Sequence, residues 1–343
     1  MKTKVLLISL ALLLVISLVA GCAAPTPTPT PTPTPKPVVL TAVTVFPVVD
    51  ENMDTLNMLI DKVKETSNGQ LIIDFKGGPE VIGAFDQGEA VRKGVIDLSF
   101  LYSAAYGGLV PGEGLFSVSP LTPEEERQSG FYDLMVELHK KYGLMYLGKA
   151  PGADGVTEMK MGMWLKKPIE KPQDLAGFKI GGVSPLCNAF FTKLGATSHV
   201  LNTVEIYTAL DRNIVDGAWY GLVGPVTFGW MEVVNYYIDR TFYNDNCVFI
   251  MNLEAWNNLP KGLQDALIEA VKYVEHEGPI SFNKYYERDK QAMRDKGIKF
   301  IKFSPEDEKW FLDACYTAEY ENQLTLNPDV SSRAKELWDK FRK

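Results

Sequence analysis

The residue with the best-defined chemistry in this sequence is Cys22, which closes Leu18-Val19-Ala20-Gly21-Cys22. Small residues before a cysteine, with Val19 three positions back, form the site where lipoprotein signal peptidase cuts. The thiol is then the atom that carries diacylglycerol. Met1-Lys2-Thr3-Lys4 supplies the positive start of a secretory signal, and Val5 to Ala20 its apolar core. That run is short for a membrane span. The expectation is a signal peptide over 1–21 and a mature, extracytoplasmic chain anchored to a membrane through lipid on Cys22.

Other reactive side chains assemble no catalytic pattern. His139, His199 and His276 are scattered, and His276-Glu277 lacks the second histidine of a zinc protease. Gly181-Gly182-Val183-Ser184-Pro185 lacks the last glycine of a nucleophile elbow. Phosphate loops of the GxxxxGK[ST] and GxGxxG kinds are missing. Glu124-Glu125-Glu126 follows Pro123 and suits the first turn of a helix, where acids meet a favourable dipole. Past Cys22 only Cys187, Cys247 and Cys315 remain, an odd set without CxxC spacing, so buried free thiols are expected. With 35 basic and 43 acidic residues the net charge is −8, which argues against a nucleic-acid partner. These readings predict no enzyme, no metal and no cofactor.

Pro25 to Pro37 reads PTPTPTPTPTPKP and has nothing apolar to bury. Alternating proline favours extended polyproline II, so residues 22–37 form a tether reaching about 40 Å. The body from Val38 to Lys343, about 300 residues, suffices for two lobes.

In that body Leu40 to Phe46, Leu71 to Phe75 and Val95 to Leu101 read as strands. Between them lie a helix capped by Asp50 or Asn52, with Met53, Leu56, Leu59, Ile60 and Val63 on one face, and a short helix over Phe85 to Lys93. A second set begins near Trp164, with strands at Phe178 to Ile180 and His199 to Leu201. Ser184-Pro185 opens one helix of this set, and Asn202 with Glu205 boxes the next. Alternation of this kind implies a mainly parallel sheet with helices on its faces. Leu263 to Arg294 has helical periodicity, with a kink or break expected at Gly278-Pro279. A strand at Ile298 to Phe303 and a helix from Pro305 follow.

The two sets echo each other. Ala90 to Phe100 aligns without a gap with Ala209 to Trp219: a helix end, a Gly94 or Asn213 turn, then a strand carrying Asp97 or Asp216. Gly and Asn both tolerate positive φ, and the matched aspartates suit a structural turn role. Ligands of open α/β sheets sit beyond the carboxyl ends of strands. Phe100 and Tyr102 of one lobe and Trp219 and Tyr220 of the other are therefore expected at one cleft, with Phe46.

Several stretches are similar to one family. Val63-Lys64-Glu65-Thr66-Ser67-Asn68-Gly69, Arg92 to Asp97, and Lys171-Pro172-Gln173-Asp174-Leu175-Ala176-Gly177-Phe178-Lys179-Ile180 resemble the DctP family, the solute-binding proteins of tripartite ATP-independent periplasmic (TRAP) transporters. So do Gly195-Ala196, Val204 to Leu210, Val215-Asp216-Gly217, and Asn252 to Gln264. The resemblance implies two α/β lobes, an inter-lobe cleft, hinge strands and a spine helix touching both. It implies closure around a small organic acid and delivery to TRAP permease subunits. The expected division is 38–157 with 246–284 for lobe I, and 158–245 with 285–343 for lobe II. A ligand-sensing surface lipoprotein of the same fold, signalling to a membrane partner, is the alternative.

The sequence also departs from that family. Its arginine after Lys-Ile, which clamps a carboxylate, is replaced here by Gly181, and its usual polar pair after Asp-Gly by Trp219-Tyr220. Lys160 is the nearest replacement cation, and the Ser184 helix start is expected to offer amides to an anion. The expected solute is consequently an organic acid, aromatic or atypical.

Overall fold

Val38–Thr44 (β1) is the core strand of the first sheet, and its neighbours explain the order of the rest. Leu71–Gly77 (β2) and Leu98–Tyr102 (β3) flank it in parallel, as two βαβ steps require. The computed structural model describes residues 36–150, 160–244 and 247–342. Cys22, the signal segment and almost all of the tether lie outside them. The body Pro37–Lys343 forms one compact unit.

The remaining strands correct the expectation of mainly parallel sheets. Leu144–Lys149 (β4) ends the first sheet, and Lys160–Leu165 (β5) lies in the second. Lys179–Gly182 (β6), Thr197–Val200 (β7) and Gly217–Gly221 (β8) form the parallel part of that second sheet. Tyr236–Ile238 (β9) and Phe242–Asn244 (β10) pair antiparallel with β5. Cys247–Asn252 (β11) then enters the first sheet between β3 and β4, antiparallel to both. The chain thus crosses between sheets three times, from β4 to β5, from β10 to β11 and from β11 to Lys299–Ile301 (β12), and the strands entered by the first two crossings, β5 and β11, run against their neighbours. Both sheets are mixed for that reason.

The internal echo is a structural repeat. Gly94 and Asn213 both adopt left-handed backbone, with φ of 70° and 59°. Asp97 accepts from the Thr41 amide at 2.8 Å and the Thr41 hydroxyl at 2.7 Å. Asp216 accepts from the Lys179 amide at 3.0 Å. Each aspartate therefore ties the start of its own strand to the adjacent parallel strand, the structural role expected. Asp97→Ala should cost about 2–3 kcal/mol of stability by chemical denaturation, since a charged acceptor with two donors is lost. A loss below roughly 0.5 kcal/mol would contradict this reading.

One helix, Lys261–Lys296, runs unbroken through Pro279 and corrects the expected break there. Packing on both sides of the proline holds it: Val271 and Val274 are buried above, Phe282 and Tyr286 below. Its first half lies against the helix Asn52–Thr66 and β4. Further along, Asp289 accepts from the Gly224 amide at 3.4 Å, and Gly297 turns the chain into Lys299–Ile301 (β12) at the edge of the second sheet. The helix Pro328–Phe341 returns to the first lobe, where Trp338 packs on Phe131 at 5.3 Å. Cys187 and Cys315 are buried free thiols, and Cys247 is buried too.

Candidate functional site

Where the strands of both sheets end, aromatic side chains from the two lobes line one cleft. Phe46 follows β1, and Tyr102 closes β3, their rings 6.2 Å apart and edge to face. Opposite stand Trp219 and Tyr220 of β8, Met161 of β5 and Ser184 after β6. Phe282 and Tyr286, one helical turn apart on the long helix, close the third side. Tyr220 is held at an angle by Phe228 and Trp230, each 5.8 Å away. Burial pushes the Tyr102 phenol up to about 12, so it stays a neutral hydrogen-bonding group.

Electrostatically the cleft is nearly neutral. Among the described residues that line it there is no lysine or arginine. Arg288, close by on the long helix, is taken up by Glu51 and Asp289, each at 2.6 Å. Glu51, in lobe I, also accepts from the Thr227 hydroxyl of lobe II at 2.7 Å. These bonds tie the two lobes together beside the cleft. The Trp219 Nε1–H is buried and has no partner among the described residues. A solute oxygen or ring nitrogen is the kind of group such a donor requires.

The predicted residues are mostly brought together, with three exceptions. Phe46, Tyr102, Ser184, Trp219 and Tyr220 line the cleft. Phe100 does not: it is fully buried one layer deeper, stacked on Phe249 at 4.7 Å and tilted against Phe46 at 5.2 Å. Gly181 also faces away, since a Cβ there would meet Leu201 and Val215 at 3.4–3.7 Å. Lys160 begins β5 beside the cleft residue Met161, but its side chain lies outside the described residues. The helix at Ser184 offers less than expected. It opens as a three-residue 3-10 turn, Pro185–Cys187, that runs on into the α-helix Asn188–Lys193, and the Ser184 hydroxyl already accepts from the Leu186 amide at 3.3 Å.

Asn52, Ser103, Ser117, Phe282 and Tyr286 also line the cleft, and the sequence reading missed them. The Phe282–Tyr286 spacing of four was a visible signal of a shared helix face. Behind Ser103 lies Glu113, and burial pushes its carboxyl up to about 7. Burial likewise pushes Glu319 on the helix Pro305–Leu326 up to about 8. Both folded values lie above the ordinary carboxylate value. The stability these acids allow is thus fully present below about pH 4.5 and falls as pH rises through 7 to 8. The melting temperature should drop between about pH 4.5 and 8 and level off above, and Glu319→Gln should flatten that drop. An unchanged slope in the variant would contradict the assignment.

The sequence model for bacterial extracellular solute-binding protein, family 7 (DctP) matches residues 44–322. The chain belongs to this family. A monocarboxylate 2-oxoacid-binding periplasmic protein of Nostoc sp. is 27% identical over 210 residues, covering 60% of this chain and 57% of that protein. The fold of the family 7 protein is that of two-lobed TRAP periplasmic solute-binding proteins. One from Desulfovibrio salexigens, solved with orotic acid, superposes with a TM-score of 0.78 at 18% identity, over 88% of this chain and 99% of that one. DctP7 of Bordetella pertussis, a receptor binding pyroglutamic acid, gives 0.74 at 19% identity, over 89% of this chain and 100% of its own. The aromatic cleft of the family 7 protein lies between its two lobes, where the strand ends of both sheets converge.

Proposed function

We propose that this protein captures a small organic solute, an acid of ring-bearing or otherwise atypical kind, in the aromatic cleft and delivers it to a TRAP-type membrane permease. The observation that carries this reading is the convergence of Phe46, Tyr102, Trp219, Tyr220 and Phe282 from both lobes and the long helix on one cleft. Relatives bound to orotic and pyroglutamic acids support the solute class. The solute's carboxylate is met by backbone and neutral donors, with Lys160, at the start of β5, as the candidate cation.

The lobes correspond to 38–157 with 246–284, and to 158–245 with 285–343 apart from the helix Pro328–Phe341, which packs on the first lobe, and they close about a hinge. The strands of each sheet fall within those ranges. The cleft encloses only about 40 Å³, room for roughly three waters. A solute therefore enters an opened form and the lobes close over it, excluding water from the rings. Lipid on Cys22 and the proline tether keep the body beside the permease.

Small-angle scattering tests the mechanism. The radius of gyration should fall on addition of a tightly bound solute, and superimposable curves would count against closure. Glu51→Ala removes the ties to Thr227 and Arg288 and should weaken solute affinity several-fold, up to about tenfold, by destabilising the closed form. Calorimetry with equal affinities for parent and variant would show that these ties do not favour closure.

A further inference from the structure

We propose that Gly182 is the positioning residue that seats Trp219, and that this pair selects planar, ring-bearing solutes in place of a charged clamp. The selectivity rests on the reading of the cleft as the solute site. The seating rests on local geometry alone.

β6 and β8 are parallel neighbours with Ile180 opposite Gly217 and Gly181 opposite Ala218. One step further along, Gly182 comes opposite Trp219. A Cβ on Gly182 would lie 1.8 Å from Trp219 Nε1, 2.2 Å from Cε2 and 2.6 Å from Cδ1. The pyrrole edge of the indole thus occupies the space that a side chain on β6 would fill. On the other flank Trp219 pairs with Met163 of β5, which keeps a full side chain. The ring has room on one side only, and it leans across Gly182 to reach the cleft wall.

Two consequences follow for recognition. A side chain from position 182 cannot share the cleft with this tryptophan, so an indole and its N–H stand where β6 would otherwise project a side chain. Nε1–H is also left as a buried donor without a partner among the described residues. A narrow cleft with Phe46 and Tyr102 opposite and a single such donor suits a flat solute that stacks and accepts one hydrogen bond. A flexible aliphatic diacid gains little from rings and finds no arginine pair.

The seating is tested on the whole protein labelled with ¹⁵N at its indoles. Trp219→Phe identifies the Trp219 N–H signal among those of the six tryptophans. Gly182→Ala should move that signal, whereas Gly181→Ala should leave it in place, because a Cβ at 181 makes only ordinary contacts with Leu201 and Val215. An unmoved signal in Gly182→Ala overturns the seating. Folding is followed in a double-mutant cycle. Gly182→Ala should lower the melting temperature by about 5 °C beside Trp219, as overpacking does, and far less in a Trp219→Leu background. Equal losses in both backgrounds overturn it.

Selectivity is read by thermal shift with benzoate, nicotinate and orotate as planar probes and succinate as the flexible one. Stabilisation by planar probes that is lost in Gly182→Ala is expected. Stabilisation by none of the planar set, or more by succinate, overturns the selectivity. Binding that is lost in Trp219→Ala but kept in Gly182→Ala retains the cleft reading and rejects only the role of Gly182.

Discussion

Trp219→Ala should weaken solute binding about a hundredfold, the largest loss expected from any single change in the cleft. Trp219 is completely buried at the end of β8 and lines the cleft. Removing an indole from a packed site costs about 3 kcal/mol or more, which converts to a factor of roughly 100 in Kd. Tyr220→Ala should cost less, because Tyr220 is only half-buried and its neighbours Phe228 and Trp230 remain to cover the wall. Phe100→Leu should act on stability more than on binding, since Phe100 supports Phe46 from below. Lys160→Ala should matter only for an anionic solute, so its ratio to the Trp219→Ala effect reports the charge of what is bound. Calorimetry on an identified solute provides these ratios. Near-parental affinity in Trp219→Ala would end the aromatic-cleft account.

Cys22→Ala should release the protein from membranes or stop its maturation altogether. The proposed lipid anchor rests on the lipobox and the positive, apolar leader before it, and Cys22 is the thiol that would carry it. Once the leader is cut and no lipid is present, PTPTPTPTPTPKP is too polar to hold a bilayer, whereas an uncut chain keeps its apolar leader and a higher mass. Detergent-phase partition and labelling with a fatty-acid probe measure both outcomes. A variant that is cut like the parent and still partitions like it would show that the anchor lies elsewhere.

Much of the fold was legible because its signals are local. The apolar face of the helix Asn52–Thr66 and the turn residues Gly94 and Asn213 are readable within a few positions. The mixed sheets were not, because β11 pairs with β3 across more than a hundred residues of chain, and no local period encodes such a partner. The site shows the same division. Residues at strand ends, such as Tyr102 and Trp219, could be placed from the repeat. Phe282 and Tyr286 could not, since which face of the long helix meets the cleft depends on both sheets at once. Attention fell on Gly181 because the family's arginine stands there, yet Gly182 is the glycine against the indole. Neighbouring strand residues point to opposite faces, and one step changes everything a side chain meets.

The most direct measurement is native mass spectrometry of the intact body after incubation with a dialysable cell extract, parent beside Trp219→Ala. One small organic molecule should be retained by the parent, released on denaturation, and absent or much reduced in the variant. The same molecule held equally by both proteins would contradict the aromatic-cleft reading.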